Sequence, residues 1–473
     1  MPATVAATDH RIGFRDLASE IEAEELEVSG SLPDWLAGSL IRMGPAKFEV
    51  GGRAYRHWFD GLAMMHRFAF EGGRVSYTNR FLESRVFLAA RDEGRIAYSE
   101  FATDPCRTLF KRAASVFSGP SFGDNANVNV MRQGDDFVAM TETPLPVRFD
   151  PATLRTLGVG EPAPGQLTVA HPHSAPVTGE LVSYAAHLGP RSSYRLYARA
   201  PGGPMRIISE LPVSRPSYMH SFAITERYAV LVEFPLVAVP ASIPLSGRPF
   251  IENYRWRPER GTRFQVIDLE TGKLRGTYEG EPFFAFHHIN AFERDGELLI
   301  DLCSYEDDEI IRGLYMDRLR SERPRLPLSE IRRCRLPLDG SAVEYEPLAE
   351  GAMELPRIDY ARCNGREYRQ AYGCGQSEGS EFLDQIIRID THDHTRNGWQ
   401  EPGCFPGEPV FVRDPAGEGE DGAVLLSVTL DAARERSFLL VLDAASLQEL
   451  ARAEVPHAIP FGFHGQFDRG QSV

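Results

Sequence analysis

The sequence predicts an all-β fold of repeated sheet units around one axis, the arrangement of a β-propeller. Three observations predict it. The chain of 473 residues holds 42 glycines and 34 prolines without a Gly-X-Y repeat, a supply of tight turns that accompanies many short strands. Its apolar runs, such as 227–234, 297–303 and 423–430, are bounded by turn residues and are too short for helices. One turn also recurs: an apolar residue, an Asp, then Thr, Ser or Asp three positions on.

That turn occurs at Asp150 with Thr153, Asp268 with Thr271, Asp390 with Asp393 and Asp443 with Ser446. The Asp side chain can accept backbone N–H bonds within the turn, ending one strand and starting a hairpin. The stretch 201–204 (Pro-Gly-Gly-Pro) and the pair Asp339-Gly340 make turns of other chemistry. After each turn and one further strand comes a residue suited to a metal site. His171 follows Asp150 by 21 residues, His287 follows Asp268 by 19, His464 follows Asp443 by 21 and Glu408 follows Asp390 by 18. His220 follows Gly203 by 17 and Glu354 follows Asp339 by 15. Such a period marks a repeated sheet unit. In a propeller the innermost strands of successive blades converge, so polar residues at their starts would meet. The competing reading is chance recurrence among 13 histidines and many glutamates.

Composition narrows the function. At 42% hydrophobic and 25% charged residues the chain is an ordinary globular protein. A net charge of −16 argues against a nucleic-acid partner, because phosphate binding needs a basic face. Six cysteines, at 106, 303, 334, 363, 374 and 404, form no C-x-x-C pair and read as the reduced thiols of a cytoplasmic protein. Residues 1–20 carry acids and no apolar run, unlike a signal peptide. No stretch of 18 apolar residues occurs; the nearest, 228–245, is broken by Glu233, Pro235, Pro240 and Pro244. The expected organisation is an extension over 1–26 and one domain over 27–473, with cap insertions near 104–122 and 234–256.

Four histidines sit in apolar or aromatic company: His171, His220, His287 and His464. A lone His of this kind is more often a hydrogen-bonded core residue. Four at blade-like offsets favour a shared metal, and imidazole suits Fe, Cu, Ni and Zn. Four neutral imidazoles leave a divalent ion its full charge and, in octahedral geometry, two neighbouring open positions. The other histidines read as background: His173 shares a strand face with His171, His288 points away from His287, and His392 and His394 lie in a polar turn. His10 falls in a mobile start, and His57, His66, His187 and His457 lack comparable company. Glu418 and Glu420 read as solvated surface charges. Gly375-Gln-Ser377-Glu-Gly379 fits G-x-S-x-G, but a nucleophile elbow needs a helix after it. Here a strand pattern, 385–389, follows.

Further segments carry a resemblance. They are Val28-Ser-Gly-Ser-Leu-Pro-Asp-Trp-Leu-Ala-Gly38, Arg42-Met-Gly-Pro45, Tyr55-Arg-His-Trp-Phe-Asp-Gly61, Met65-His-Arg-Phe68, 125–130 and Met140-Thr-Glu-Thr143. After them come Ala170-His-Pro-His173, Met219-His-Ser-Phe-Ala-Ile224, Phe286-His-His-Ile-Asn290, Glu354-Leu-Pro-Arg-Ile-Asp359, Gly407-Glu-Pro-Val-Phe411 and Phe463-His-Gly465. In this order, over residues 27–467, the chain resembles the carotenoid cleavage oxygenase family, and within it the animal β-carotene oxygenase and retinoid isomerase branch. Met43 and Ala46 depart from the family's more usual Asn and Gly, in a loop.

The resemblance implies a seven-bladed β-propeller with a cap of loops and short helices over an axial Fe(2+). It implies His171, His220, His287 and His464 as iron ligands. Glu142, Glu354 and Glu408 would accept hydrogen bonds from His220, His287 and His464, leaving His171 without a carboxylate. A ligating His usually donates its other N–H to such a group, which fixes its tautomer. The implied reaction is oxidative cleavage by O2 of a conjugated double bond of a carotenoid or apocarotenoid, giving two carbonyl products. Alternatives on the same fold are a retinoid isomerohydrolase with iron as Lewis acid, a stilbene-cleaving dioxygenase, and a non-catalytic binding propeller. Cys106 resembles a lipidated position of the animal branch. Leu109, Phe110 and Phe117 alternate with Arg107, Lys111 and Arg112, a basic amphipathic pattern suited either to a peripheral membrane contact or to a cap helix. Leu236 and Val237 offer a second membrane contact.

Overall fold

The computed structural model describes residues 9–104, 123–134, 136–240, 243–246, 248–420 and 422–470. Seven antiparallel sheets of four to six strands form the blades of a propeller. Blade 2 runs through Asn129–Gln133, Asp136–Met140, Val147–Phe149 and Thr156–Val159. Blades 3 to 6 repeat this meander, with innermost strands at His173–Ser174, Ala223–Ile224, Phe284–Arg294 and Glu354–Arg357. Blade 7 begins at Cys404–Pro406 and Val410–Arg413 and continues to Glu449–Glu454.

The ring is closed twice. Val28–Gly30, from the start of the chain, adds to the outer edge of blade 7 by pairing with Glu449–Glu454. Gly465–Asp468, from its end, becomes the innermost strand of blade 1 by pairing with Gly38–Lys47. Neighbouring blades share apolar seams. Leu231 joins blades 3 and 4, Leu299 blades 5 and 6, Leu425 blades 6 and 7, and Leu439 blades 7 and 1; each has 0% exposure. Burying a side chain of this size contributes about 1.5–3 kcal/mol.

Residues 9–26 are part of this body, whereas the sequence reading sets 1–26 apart as an extension. Ile21–Glu25 pairs with Arg74–Phe81 as the outer strand of blade 1. The 3-10 turn His10–Phe14 is buried: His10 stacks on Phe382 and its Nε2 lies 3.0 Å from the Leu319 carbonyl oxygen. The apolar content of Ile12 and Phe14, within an acidic start, draws the segment in.

The recurrent Asp turn is the outer hairpin of blades 2, 4, 6 and 7. Asp150 Oδ1 accepts from Ala152 N, Thr153 N and Thr153 Oγ1. Asp268, Asp390 and Asp443 make the corresponding bonds. The fourth residue after each Asp is left-handed: Leu154, Gly272, His394 and Leu447, at φ 56°, 69°, 55° and 57°. Leu154 and Leu447 bury their side chains at 0% and 6% exposure, which offsets the backbone cost. At Gly272 a Cβ would meet the Ile208 carbonyl oxygen at 2.0 Å, so a side chain is excluded. One strand beyond each of these turns the chain enters the innermost strand of the next blade, which accounts for the sequence offsets.

Gly272→Ala is therefore expected to destabilise the fold by more than the ~1–2 kcal/mol of a left-handed alanine. Gly296→Ala, at φ 83° with nothing within 4 Å of a Cβ, should cost only that amount. Urea unfolding of the two variants measures the difference, and equal midpoints would contradict the steric account.

Candidate metal centre

The centre lies where the innermost strands converge. His171 precedes His173–Ser174, His220 precedes Ala223–Ile224, His287 lies within Phe284–Arg294 and His464 immediately precedes Gly465–Asp468. Local irregularity aims two of the donors. The pairing of Phe284–Arg294 slips between Ala285 and His288, the kind of bulge that re-aims a side chain. The strand Glu354–Arg357 slips likewise, with Leu355 at φ 52°. A left-handed leucine costs about 1–2 kcal/mol, and the kink lets both Glu354 and Arg357 face the centre. His464 is fixed by its backbone: its N–H donates to Val128 O and its carbonyl accepts from Met43 N.

The four imidazoles bring one ring nitrogen each to within 4.8 Å of the others. The Nε2 atoms of His171 and His220 lie 3.1 Å apart, and those of His287 and His464 3.2 Å apart. Nδ1 of His220 lies 2.7 Å from Glu142 Oε1, Nδ1 of His287 2.5 Å from Glu354 Oε2, and Nδ1 of His464 2.7 Å from Glu408 Oε1. His171 has no carboxylate partner among the described residues.

These bonds decide whether a cation fits. A carboxylate accepts, so each paired ring carries its proton on Nδ1 and presents a bare Nε2 lone pair. Burial, with the neighbouring histidines, depresses His171 far below the ordinary imidazole range. Burial also lowers His220, and lowers His464 to about 3. Because Nδ1–H of His287 and of His464 is committed to a carboxylate, their Nε2 lone pairs meet at 3.2 Å and repel one another unless a cation sits between them. The donor set fits a metal ion that takes imidazole ligands.

Each carboxylate is held in turn by a residue that the sequence did not mark as part of the site. Tyr218 donates its hydroxyl to Glu142 at 2.7 Å and Tyr305 donates to Glu354 at 2.6 Å. Burial raises both phenols well above their ordinary range, so they stay protonated donors. Glu408, at 0% exposure, accepts from Arg42 Nη1 at 2.6 Å, Arg357 Nε at 2.8 Å and Gly465 N at 2.9 Å. Burial would raise its carboxyl, but Arg357, His464 and Arg42 hold it well below the usual carboxylate range. Arg42 and Arg357 stand inside segments that carried the resemblance, and Tyr218 lies two residues before His220. Tyr305, at the end of a plain apolar strand, had no signal.

A cavity reaches His220, His287 and His464. Its walls are mainly apolar, among them Trp58, Phe59, Phe286, Ile310, Leu314 and Phe463. Phe59 and Phe286 also lie against the His220 ring, at centroid distances of 6.0 and 5.3 Å.

Other expected positions fall elsewhere. Cys106, Leu109, Phe110 and Phe117 lie outside the described residues. Leu236 and Val237 are corrected: at 2% and 6% exposure they are core residues, because Leu236–Ala238 pairs with Tyr254–Trp256 and turns inward. Glu420 is likewise no free surface charge, since it accepts the N–H groups of Arg369 and Gln370. His288 faces away from the ring of four, with Nδ1 2.7 Å from the Ser221 hydroxyl. Ser377 hydrogen-bonds Asp384 and Gln400 and is followed by a loop, so it is no nucleophile elbow.

Comparison with known proteins agrees with this architecture. The family model described as retinal pigment epithelial membrane protein matches residues 14–469. The chain belongs to this family of carotenoid oxygenases. It is 36% identical to a mitochondrial carotenoid-cleaving dioxygenase of Macaca fascicularis, over 93% of this chain and 91% of the relative. It is 32% identical to a β,β-carotene 15,15'-dioxygenase of Rattus norvegicus, over 96% and 90%. A solved structure of Synechocystis apocarotenoid oxygenase superposes with a TM-score of 0.88 at 26% identity, covering 98% of this chain and 99% of that one. A cobalt-substituted form of that oxygenase superposes equally well, with a TM-score of 0.88 over 98% and 99%.

Glu354→Gln and Glu408→Gln remove the acceptor charge and can turn an NH2 toward an imidazole N–H. Each should lower metal affinity about 10–100-fold, read as metal content after dialysis against a weak chelator. Exposed Glu418→Gln should leave it unchanged. Full retention in both site variants would show that the carboxylates do not set the ligand geometry.

Proposed function

We propose that this protein uses Fe(2+), held by His171, His220, His287 and His464, to cleave a conjugated double bond of a carotenoid or apocarotenoid with O2. The observation that carries the reading is the convergence of four imidazoles, three of them oriented by carboxylates, beside an apolar cavity. A bound iron(II) would supply the redox centre at which O2 becomes reactive. The chain supplies the rest. Its neutral imidazoles leave the ion its charge, and their Nδ1–H bonds keep the rings from rotating. Phe59, Phe286 and Phe463 line the site with surface that offers water no partners, and an apolar slot matches a rigid polyene. Holding the scissile bond beside the centre is the chain's main contribution to rate. The activities named for the relatives from Macaca fascicularis, Rattus norvegicus and Synechocystis support the substrate class, and the cobalt-substituted relative supports a metal.

We also propose a peripheral contact with a membrane, where apolar substrates partition. Arg107, Lys111 and Arg112, interleaved with Leu109, Phe110 and Phe117, support it. So does a surface groove lined by Arg215, Arg248, Arg255 and Arg257 beside Val239, which is 50% exposed. Triple replacement of Leu109, Phe110 and Phe117 by Ser should shift the protein from sedimenting vesicles to the supernatant. An unchanged distribution would refute this contact.

The reaction is tested with purified protein, anaerobic incubation with β-carotene or an apocarotenal, and then 18O2. About one iron per chain, O2 uptake and two labelled carbonyl products are expected, all lost on chelation. Turnover of a retinyl ester without O2 uptake would instead assign the isomerohydrolase reaction.

A further inference from the structure

The metal-site cavity contains few polar groups, and nearly all are already committed. The His220, His287 and His464 rings direct Nε2 at the centre. Tyr305 donates to Glu354, and Glu354 accepts from His287, Tyr305 and Leu355 N. Ser329 Oγ donates to Met353 O and accepts from Met353 N. Gln376 is the exception. Its Nε2 donates one hydrogen bond, at 2.6 Å to Ser380 O. No other side-chain bond to it occurs among the described residues, which leaves one N–H and both lone pairs of Oε1 open.

Gln376 is also held in place. It follows the strand Gln370–Gly375, in which Cys374 pairs with Glu354. Two residues on, it stands roughly 6–7 Å further along the blade, beside Ala352, which lines the same cavity. The loop beyond it is stapled. Ser377 donates through N and Oγ to Asp384, at 2.8 and 2.5 Å, and Gln400 Nε2 bonds both residues. The staple fixes Phe382, which stacks on Phe461 at 4.8 Å and forms the adjoining wall.

We propose that Gln376 is a specificity-determining residue that receives an oxygen-bearing end of the polyene, a ring hydroxyl, and so favours hydroxylated over hydrocarbon-ended substrates. The inference rests on the polyene reading of the cavity. A hydroxyl carried into an apolar cavity loses its water and needs a partner, and the open amide supplies both an acceptor and a donor. A hydrocarbon end leaves that amide unpaired. One such net bond corresponds to roughly a two- to tenfold preference.

The test uses two apocarotenals of equal length, one with a ring hydroxyl and one without. Their binding to the iron-loaded protein is measured without O2 by quenching of tryptophan fluorescence, Trp58 being a wall residue, and kcat/KM is measured on the same protein with O2. The wild-type protein should bind the hydroxylated compound several-fold more tightly. Gln376→Met, which keeps the length and removes the hydrogen bonds, should erase the difference in Kd and in kcat/KM between the two compounds without changing iron content. Equal wild-type affinities for the two compounds, or a preference that survives in Gln376→Met, would overturn the proposal. Binding of both without cleavage would count against the dioxygenase reading and leave the Kd comparison to decide the role of Gln376.

Discussion

The hydrogen bond from an imidazole Nδ1–H to a buried carboxylate is the interaction on which this centre depends. It settles the tautomer, fixes the ring plane and exposes Nε2, all with one proton. Three blades repeat it with different support: a tyrosine behind Glu142, a tyrosine behind Glu354, and two arginines with a backbone N–H behind Glu408. The difference follows burial. Glu142 and Glu354 keep partial exposure, whereas Glu408 is sealed, and a sealed carboxylate needs cationic partners. Truncating one partner of such a pair typically costs ~3–5 kcal/mol, because the other charge stays buried alone.

The propeller makes the repetition possible. Each blade offers its innermost strand to the axis at one level, so six separate stretches of chain deliver a histidine or a glutamate to one small volume. Glu142 is the exception. It lies on a loop after the second strand of blade 2, and its carbonyl accepts from Thr168 N at the entrance to blade 3. The seams between blades are apolar and continuous, so the donors are held by the packing of the whole ring.

The sequence made the blade period legible because the outer turns announce themselves chemically. An Asp that caps its own hairpin is visible in one dimension, and the distance from it to the next inner strand is nearly constant. The four histidines were legible for the same reason. Tyr305 was not, since a tyrosine ending a run of Leu, Ile and Cys looks like core, and only the fold brings its hydroxyl to Glu354. The segment around His10 was misread because its acids and its short length hid two well-placed apolar residues. Leu236 and Val237 misled in the opposite way: an apolar run between prolines resembles a surface loop until a second strand pairs with it and turns it inward.

The double closure has a further meaning for assembly. His464 stands one residue before the strand that completes blade 1, and it is the last donor in the chain. A molecule whose final strand has not docked has three imidazoles at the centre and only one of its two closures. Seating that strand adds the fourth donor and the second closure together. Any ion that prefers four nitrogens to three therefore lends its affinity to ring closure, in proportion to its free concentration. For such an ion, metal supply and completion of the fold would be one equilibrium.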